Sequence, residues 1–336
     1  MLDKTIIAVD AMGGEHSPEK ILDGIGIALK ENKDLYFKIF GVKDKLEKFI
    51  LNNSLIKNNS EVINVKDFIL DHESPLTAAK KGNSTSMWQT LNSLHNNDSH
   101  IALSAGNTGA LLILSKMILD TIEGIDKPAL AGLWPNKNGM NIVLDLGATI
   151  ECSAKNFIDF SLMGSALYKS LFPENDPKVA ILNVGSEEIK GHEIIKNAYK
   201  ELKTNNKYNL DFDGYIEGNH IMDGKINVIV TDGFTGNIAL KTAEGTANFI
   251  TNSLKSFFNE NLLSKILALL NYRALKKFKN KLDPRKYNGA IFIGLNGPVV
   301  KSHGSTDSLG FSHSIRMCNR IVKGDLIEKI KDNLNK

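Results

Sequence analysis

Short apolar runs rich in Ile and Val alternate along the chain with longer stretches in which apolar residues return every three or four positions. The first pattern is that of buried strands and the second that of helices with one apolar face, so the alternation predicts repeated β-turn-α units. Strands are expected at Thr5 to Val9, Tyr36 to Phe40, Ile101 to Leu103, Ile142 to Leu144, Val179 to Leu182, Val228 to Val230 and Ile291 to Ile293. These are continuous apolar runs, as in strands buried on both faces of a parallel sheet. Helices are expected near Pro18 to Lys30, Thr108 to Asp120, Ala154 to Leu171, His192 to Lys203, Gly236 to Phe258 and Ser308 to Val322. The fold class that follows is α/β with a mainly parallel sheet, in a single domain over residues 1–336. From Phe257 to Pro284 helix follows helix with no strand between, which predicts a helical excursion at about residues 257–284.

Composition narrows the function classes. A hydrophobic fraction of 42% and a charged fraction of 24% are ordinary for a globular protein with a sizeable core. Lys and Arg number 41 against 38 Asp and Glu, a balance too even to indicate a nucleic-acid partner. Cys152 and Cys318 are too few and too distant for a disulfide framework or a zinc site, which fits a reducing cytoplasm. The first residues run directly into a strand pattern, so no secretory signal is expected, and no apolar run reaches the roughly 18 residues of a membrane span.

Four of the expected strands end in turns of small and polar residues. They are Asp10-Ala11-Met12-Gly13-Gly14, Ser104-Ala105-Gly106-Asn107-Thr108-Gly109, Asn183-Val184-Gly185-Ser186 and Thr231-Asp232-Gly233-Phe234-Thr235-Gly236-Asn237. Ligands of open α/β sheets collect beyond strand carboxyl ends, where such turns and helix N-termini offer main-chain N–H groups to anions. The expectation is that the four turns surround one hollow and hold a tetrahedral anion. A single glycine-bearing turn is by itself no more than a tight connection, and Asp10, Asp145 or Asp232 could orient ligand groups or merely cap helices. The segment Gly294 to Gly304 adds Lys301 and His303, a fixed charge and a group that exchanges protons near neutrality. Lys241 and Lys190 follow two of the turns and are weaker candidates, since most lysines simply face solvent. There is no Gly-x-x-x-x-Gly-Lys-Ser/Thr, no Gly-x-Gly-x-x-Gly after a strand, no His-Glu-x-x-His and no Gly-x-Ser-x-Gly. Nucleotides, zinc catalysis and a serine nucleophile therefore receive no support.

Together with Gly214-Tyr215-Ile216-Glu217-Gly218 and Leu182-Asn183-Val184-Gly185-Ser186-Glu187-Glu188, these motifs resemble the PlsX-type phosphate acyltransferases from the first strand almost to the last helix. Two positions depart from that pattern: Glu15 stands in place of the usual Asp, and Thr149 in place of a frequent Asn. The resemblance implies a Rossmann-like three-layer α/β/α fold, a homodimer, acyl carrier protein as acyl donor, inorganic phosphate as acceptor and no metal or nucleotide cofactor. On this reading Lys301, His303, Asn107 and Asp232 are expected to serve the chemistry. Substrate contacts are expected from Asp10, Gly13, Gly14, Gly106, Thr108, Asn183, Gly185, Ser186, Gly233, Thr235, Gly236, Asn237 and Lys241. A nicotinamide-dependent hydroxy-acid dehydrogenase and a non-catalytic scaffold for acyl carrier protein stand as alternatives.

Between Lys255 and Lys281 seven basic residues face Glu260 alone. Leu262, Leu263, Ile266, Leu267, Leu269 and Leu270 form an apolar stripe beside Arg273, Lys276 and Lys277. Such a segment suits an anionic membrane surface, an acidic carrier protein or packing within a dimer. The resemblance favours peripheral membrane contact.

Overall fold

In a computed structural model, the described residues are 4–205, 208–261, 265, 269–281 and 283–335. The apolar runs become strands β1 (Thr5–Asp10), β2 (Leu35–Gly41), β3 (Ser60–Asn64), β4 (Ile101–Ser104), β5 (Ala129–Asn136), β6 (Gly139–Leu144), β7 (Lys178–Asn183), β8 (Asp211–Glu217), β9 (Val228–Val230), β10 (Ala290–Ile293) and β11 (Val299–Lys301). The helices are α1 (Glu19–Glu31), α2 (Lys43–Ile50), α3 (Ser54–Lys57), α4 (Pro75–Lys81), α5 (Ser86–His95) and α6 (Thr108–Leu119). They continue with α7 (Ala154–Leu171), α8 (Glu193–Thr204), α9 (Gly233–Asn259), α10 (Tyr272–Lys281), α11 (Ser308–Lys323) and α12 (Leu326–Leu334).

All these strands join one sheet in the order β3-β2-β1-β4-β11-β10-β5-β6-β9-β7-β8. Alternate strand residues feed two apolar layers, as the two-residue period of a strand requires. Ile101 and Leu103 pack with α1, α7 and α11, whereas Ala102 packs on the other face with α5 and α6. The result is the three-layer α/β/α arrangement.

The sheet contains two parallel blocks, β3-β2-β1-β4-β11 and β6-β9-β7-β8. Between them, the pairs β11–β10, β10–β5 and β5–β6 are antiparallel. Three reversals leave the blocks running in opposite directions. The turns after β1, β4 and β11 therefore lie at one end of the sheet, and those after β6, β7 and β9 at the other. This corrects the expectation of one shared hollow: strand direction, which local sequence does not encode, separates the turns into two sets.

Helix α9 passes from one set to the other. It starts beside the turn after β6, and Ala239, Leu240 and Ala243 then pack against the apolar layer that holds residues of α5 and α6. Beyond Glu244 its residues face solvent, including Phe249 and Phe257. Twenty-seven helical residues span about 40 Å at 1.5 Å per residue. The exposed half of α9 thus leads into the segment for which the excursion is expected.

Candidate functional site

The first set of turns is built around Asp10, which is 2% exposed. Its carboxylate accepts from Ser86 Oγ and Ser104 Oγ, each at 2.7 Å, and from Met12 N–H at 3.2 Å. One side chain thereby ties the ends of β1 and β4 to the start of α5. Burial raises the Asp10 carboxyl above the usual carboxylate range, and these three donors oppose the rise. Gly13 is needed for close approach: a Cβ there would lie 2.5 Å from Gly106 N. The neighbouring turn after β11 joins them through Glu15 N–H, which donates to Gly304 O at 3.0 Å.

Two buried ammonium groups enter this assembly. Lys301 Nζ donates to Ala105 O at 3.2 Å and to Ser302 O, and Lys20 Nζ donates to Gly304 O. Lys20 is 6% exposed and Lys301 9%. Among the described residues neither cation has a carboxylate ion-pair partner. Burial pulls Lys301 down to about 8, with Asp71 opposing the fall and Lys20 adding to it. Burial also lowers Lys20, against the pull of Glu15 and Asp71. Lys301 and Lys20 each rest on separate carbonyl oxygens, an environment that leaves a buried cation short of a counter-charge.

Beside them, Asn288 Oδ1 accepts from His303 N–H at 2.9 Å while its Nδ2 donates to Ser302 Oγ, fixing the loop after β11. His303 Nδ1 accepts from Ser305 N–H at 3.2 Å. In the neutral ring this places the proton on Nε2, which becomes a donor. Partial burial and Lys301 lower the His303 pKa, favouring that neutral form; Glu244 and Lys241 on α9 also bear on it. Lys241 itself spends its charge on Glu244 at 2.8 Å. Asn107 caps α6 by accepting from Ala110 N–H, and its Nδ2 donates to Asp71 O and Glu73 O. These bonds make it a structural tie between α6 and the Asp71–Glu73 backbone. Thr108 opens α6, whose remaining first-turn amides are those a helix N-terminus leaves for an anion.

The second set satisfies itself. Asp145 is fully buried, and its carboxylate accepts from the backbone N–H groups of Leu130, Gly147, Ala148 and Thr149. Burial raises its pKa against those four bonds. Asp232 caps α9, accepting from Thr235 N–H and Thr235 Oγ1 at 2.8 Å each. Gly233 N–H donates to Thr149 O at 2.8 Å, and Gly236 sits so close to Asp145 O that a Cβ would lie 1.9 Å away. Asn237 packs over Gly147. On the same side, Asn183 is 8% exposed and its Nδ2 closes the turn after β7 onto Gly185 O and Lys190 O, leaving Ser186 exposed. In the turn after β9, Thr235 N–H is taken by the Asp232 carboxylate and Gly233 and Gly236 N–H by backbone carbonyls.

Sequence reading missed Lys20, Ser86, Asn288 and Asp71. Only Lys20 left a signal: a lysine in the first turn of α1 opposes the preference of a helix N-terminus for acids. Within the excursion, Leu263, Ile266 and Leu267 lie outside the described residues, whereas Leu269, Leu270, Arg273, Lys276 and Lys277 are exposed. Among the described residues no cluster of three His, Cys, Asp or Glu could hold a metal ion, and no helix is long and apolar enough to cross a membrane.

A family model described as "Fatty acid synthesis protein" matches residues 5–329. A phosphate acyltransferase of Pelagibacter ubique is 58% identical over 328 residues, covering 98% of both chains. Another from Rhodospirillum rubrum is 38% identical over all of this chain and 96% of its own. Among solved structures, a phosphotransacetylase from Streptococcus pyogenes superposes with a TM-score of 0.63 at 15% identity, covering 98% of this chain and 95% of that one. At that identity the likeness speaks for the fold.

Proposed function

Because the chain belongs to the PlsX-type phosphate acyltransferase family, we propose that it moves a fatty acyl group from the thioester of acyl carrier protein to inorganic phosphate. The acyl phosphate so formed would feed phospholipid synthesis. The observation that carries this reading is the pair of buried cations, Lys20 and Lys301, which bond to carbonyl oxygens and form no ion pair among the described residues.

Phosphate placed there has an anionic oxygen free to attack the thioester carbonyl. A tetrahedral oxyanion forms, collapses, and expels the phosphopantetheine thiolate. The acyl phosphate is more acidic than phosphate, so the proton it releases balances the one the thiolate takes up. No oxidant, metal or nucleotide is required. The protein supplies position and charge: Lys301 and Lys20 hold phosphate, the first-turn amides of α6 meet its oxygens, and His303 Nε2–H donates to the oxyanion. Asp10 shapes the turns without touching substrate. Gly233 to Asn237 frame the far end of α9.

The basic excursion is assigned to lipid and carrier. Leu269 and Leu270 are 75% and 77% exposed beside Arg273, Lys276 and Lys277, a combination suited to an anionic membrane and to steering an acidic carrier protein. In a homodimer the exposed Phe249 and Phe257 of α9 would find cover. The deciding assay mixes protein, acyl carrier protein thioester and phosphate, then traps acyl phosphate with hydroxylamine. Hydroxamate that depends on phosphate supports the reading; thioester loss without that dependence would overturn it.

A further inference from the structure

Resting on the phosphate reading above, we propose that Asp71 makes the site choose phosphate over sulfate by accepting a hydrogen bond that only a protonated anion can donate. Sulfate has the size and charge of dianionic phosphate, so two lysines do not tell them apart. The difference is one proton. At neutral pH phosphate retains an O–H, whereas sulfate has none, and an ionised carboxylate is an acceptor only. A carboxylate at the rim of a cationic site therefore welcomes one anion and faces the other with opposed lone pairs.

Asp71 has the required position. Asn107 Nδ2 donates to Asp71 O at 2.8 Å and to Glu73 O at 2.9 Å, while Asn107 Oδ1 caps α6. The same asparagine thus pins the Asp71–Glu73 backbone to the N-terminus of α6. That turn also presents Ala105 O to Lys301. The start of α4 rests on the first turn of α6 so closely that a Cβ at Gly109 would lie 2.7 Å from Pro75 Cγ.

Asp71 is also unspent. Its acidic neighbour Glu73 is occupied, receiving Lys81 Nζ and Leu70 N–H on Oε1. The Asp71 carboxylate is exposed and has no hydrogen-bond or ion-pair partner among the described residues. Its charge nonetheless reaches Asp10, Lys20 and Lys301 together.

The test measures acyl phosphate formation against phosphate concentration, with sulfate as competitor, for the wild type, Asp71→Asn and Asp71→Glu. The ratio of the sulfate inhibition constant to the phosphate KM should fall at least tenfold in Asp71→Asn and stay near the wild-type value in Asp71→Glu. An Asp71→Asn ratio within twofold of wild type, with phosphate-dependent activity intact, overturns the assignment and leaves the phosphate reading standing. If Asp71→Asn turns over too slowly, calorimetric titration of wild type and variant with phosphate and with sulfate reads the same ratio. Absence of acyl phosphate from the wild type would instead overturn the phosphate reading itself.

Discussion

The turns after β1, β4 and β11 and those after β6 and β9 use the same small polar residues, yet they dispose of charge in opposite ways. In the first set Lys20 and Lys301 are buried against carbonyl oxygens, with no ion pair to a carboxylate among the described residues. In the second, Asp145 gathers four backbone N–H groups and Asp232 a fifth, so the anions are built in. A turn with free donors can bind. A turn whose donors face its own carboxylates has become part of the frame, and here it fixes the start of α9, which then runs toward His303.

The largest expected effect separates the two sets directly. Lys301→Met keeps most of the stem and removes the charge. A lost hydrogen bond to a charged group costs about 1.5–3 kcal/mol, so kcat/KM for phosphate should fall on the order of 100-fold. The thermal midpoint should move by no more than a few degrees. Lys190→Ala, in the second set, is expected to change kcat/KM by less than about threefold, as a surface lysine does. If phosphate kinetics showed the reverse order of losses, the anion would belong to the turns after β6, β7 and β9.

Glycine substitutions sharpen the contrast. A Cβ at Gly13 meets backbone atoms of Gly106, and one at Gly236 meets the carbonyl of Asp145. Forcing backbone apart at either place should destabilise the fold by about 1–3 kcal/mol, seen as a lower urea midpoint. Function should then divide them. Gly13→Ala spreads the two turns that frame the lysines and should raise the phosphate KM about tenfold, on the scale of one charged hydrogen bond. Gly236→Ala should leave that KM near the wild-type value at temperatures where the variant is folded.

A pH series gives a moderate effect with a defined sign. Lys301 is protonated below about 8 and loses its charge above it. Phosphate KM should rise as pH increases through about 8, and Lys301→Met should flatten that dependence. Stability of the free enzyme moves the other way. Between the folded value near 8 and the ordinary lysine value of 10.5, the unfolded state binds more protons, so stability from this group increases with pH across that window. Below about 8 both states are protonated and the contribution is constant. Saturating phosphate holds the proton on Lys301 and should diminish the rise.

Much of this was legible before any coordinates. The strands at Thr5, Ile101, Val179 and Val228 were readable because both faces are buried, which turns them into uninterrupted apolar words. β3 and β8 were not, since each lies at an edge of the sheet and breaks its apolar pattern with exposed and half-buried positions. β5 was hidden by Gly132 and Pro135, which read as breakers; Gly132 sits here between two antiparallel partners and Pro135 pairs with β6 alone. Lys301 and His303 stood out in the sequence because they close a strand-and-loop segment bounded by glycines. Lys20 and Asp71 were missed because their roles depend on which loops meet, and pairing of distant loops follows from strand order and direction.

The smallest expected effect tests whether Asp232 belongs to chemistry or to the frame. Its carboxylate accepts from Thr235 N–H and Thr235 Oγ1, the bonds of an N-cap, and its backbone O accepts from Gly236 N–H. Losing such a cap costs about 0.5–2 kcal/mol. Asp232→Ala should therefore lower the unfolding midpoint in urea by that amount, while Asp232→Asn and Asp232→Ser, which also cap, should recover most of it. With a purely capping role, all three variants share the wild-type phosphate KM, and kcat follows only the folded fraction. A proton-transfer role makes a different pattern, because neither Asn nor Ser exchanges a proton as a carboxylate does. In that case both would fold like the wild type and lose activity by a hundredfold or more, on the scale of general acid–base catalysis. Rescue of stability together with rescue of turnover in Asp232→Asn would place Asp232 in the frame, and rescue of stability alone would return it to the active site.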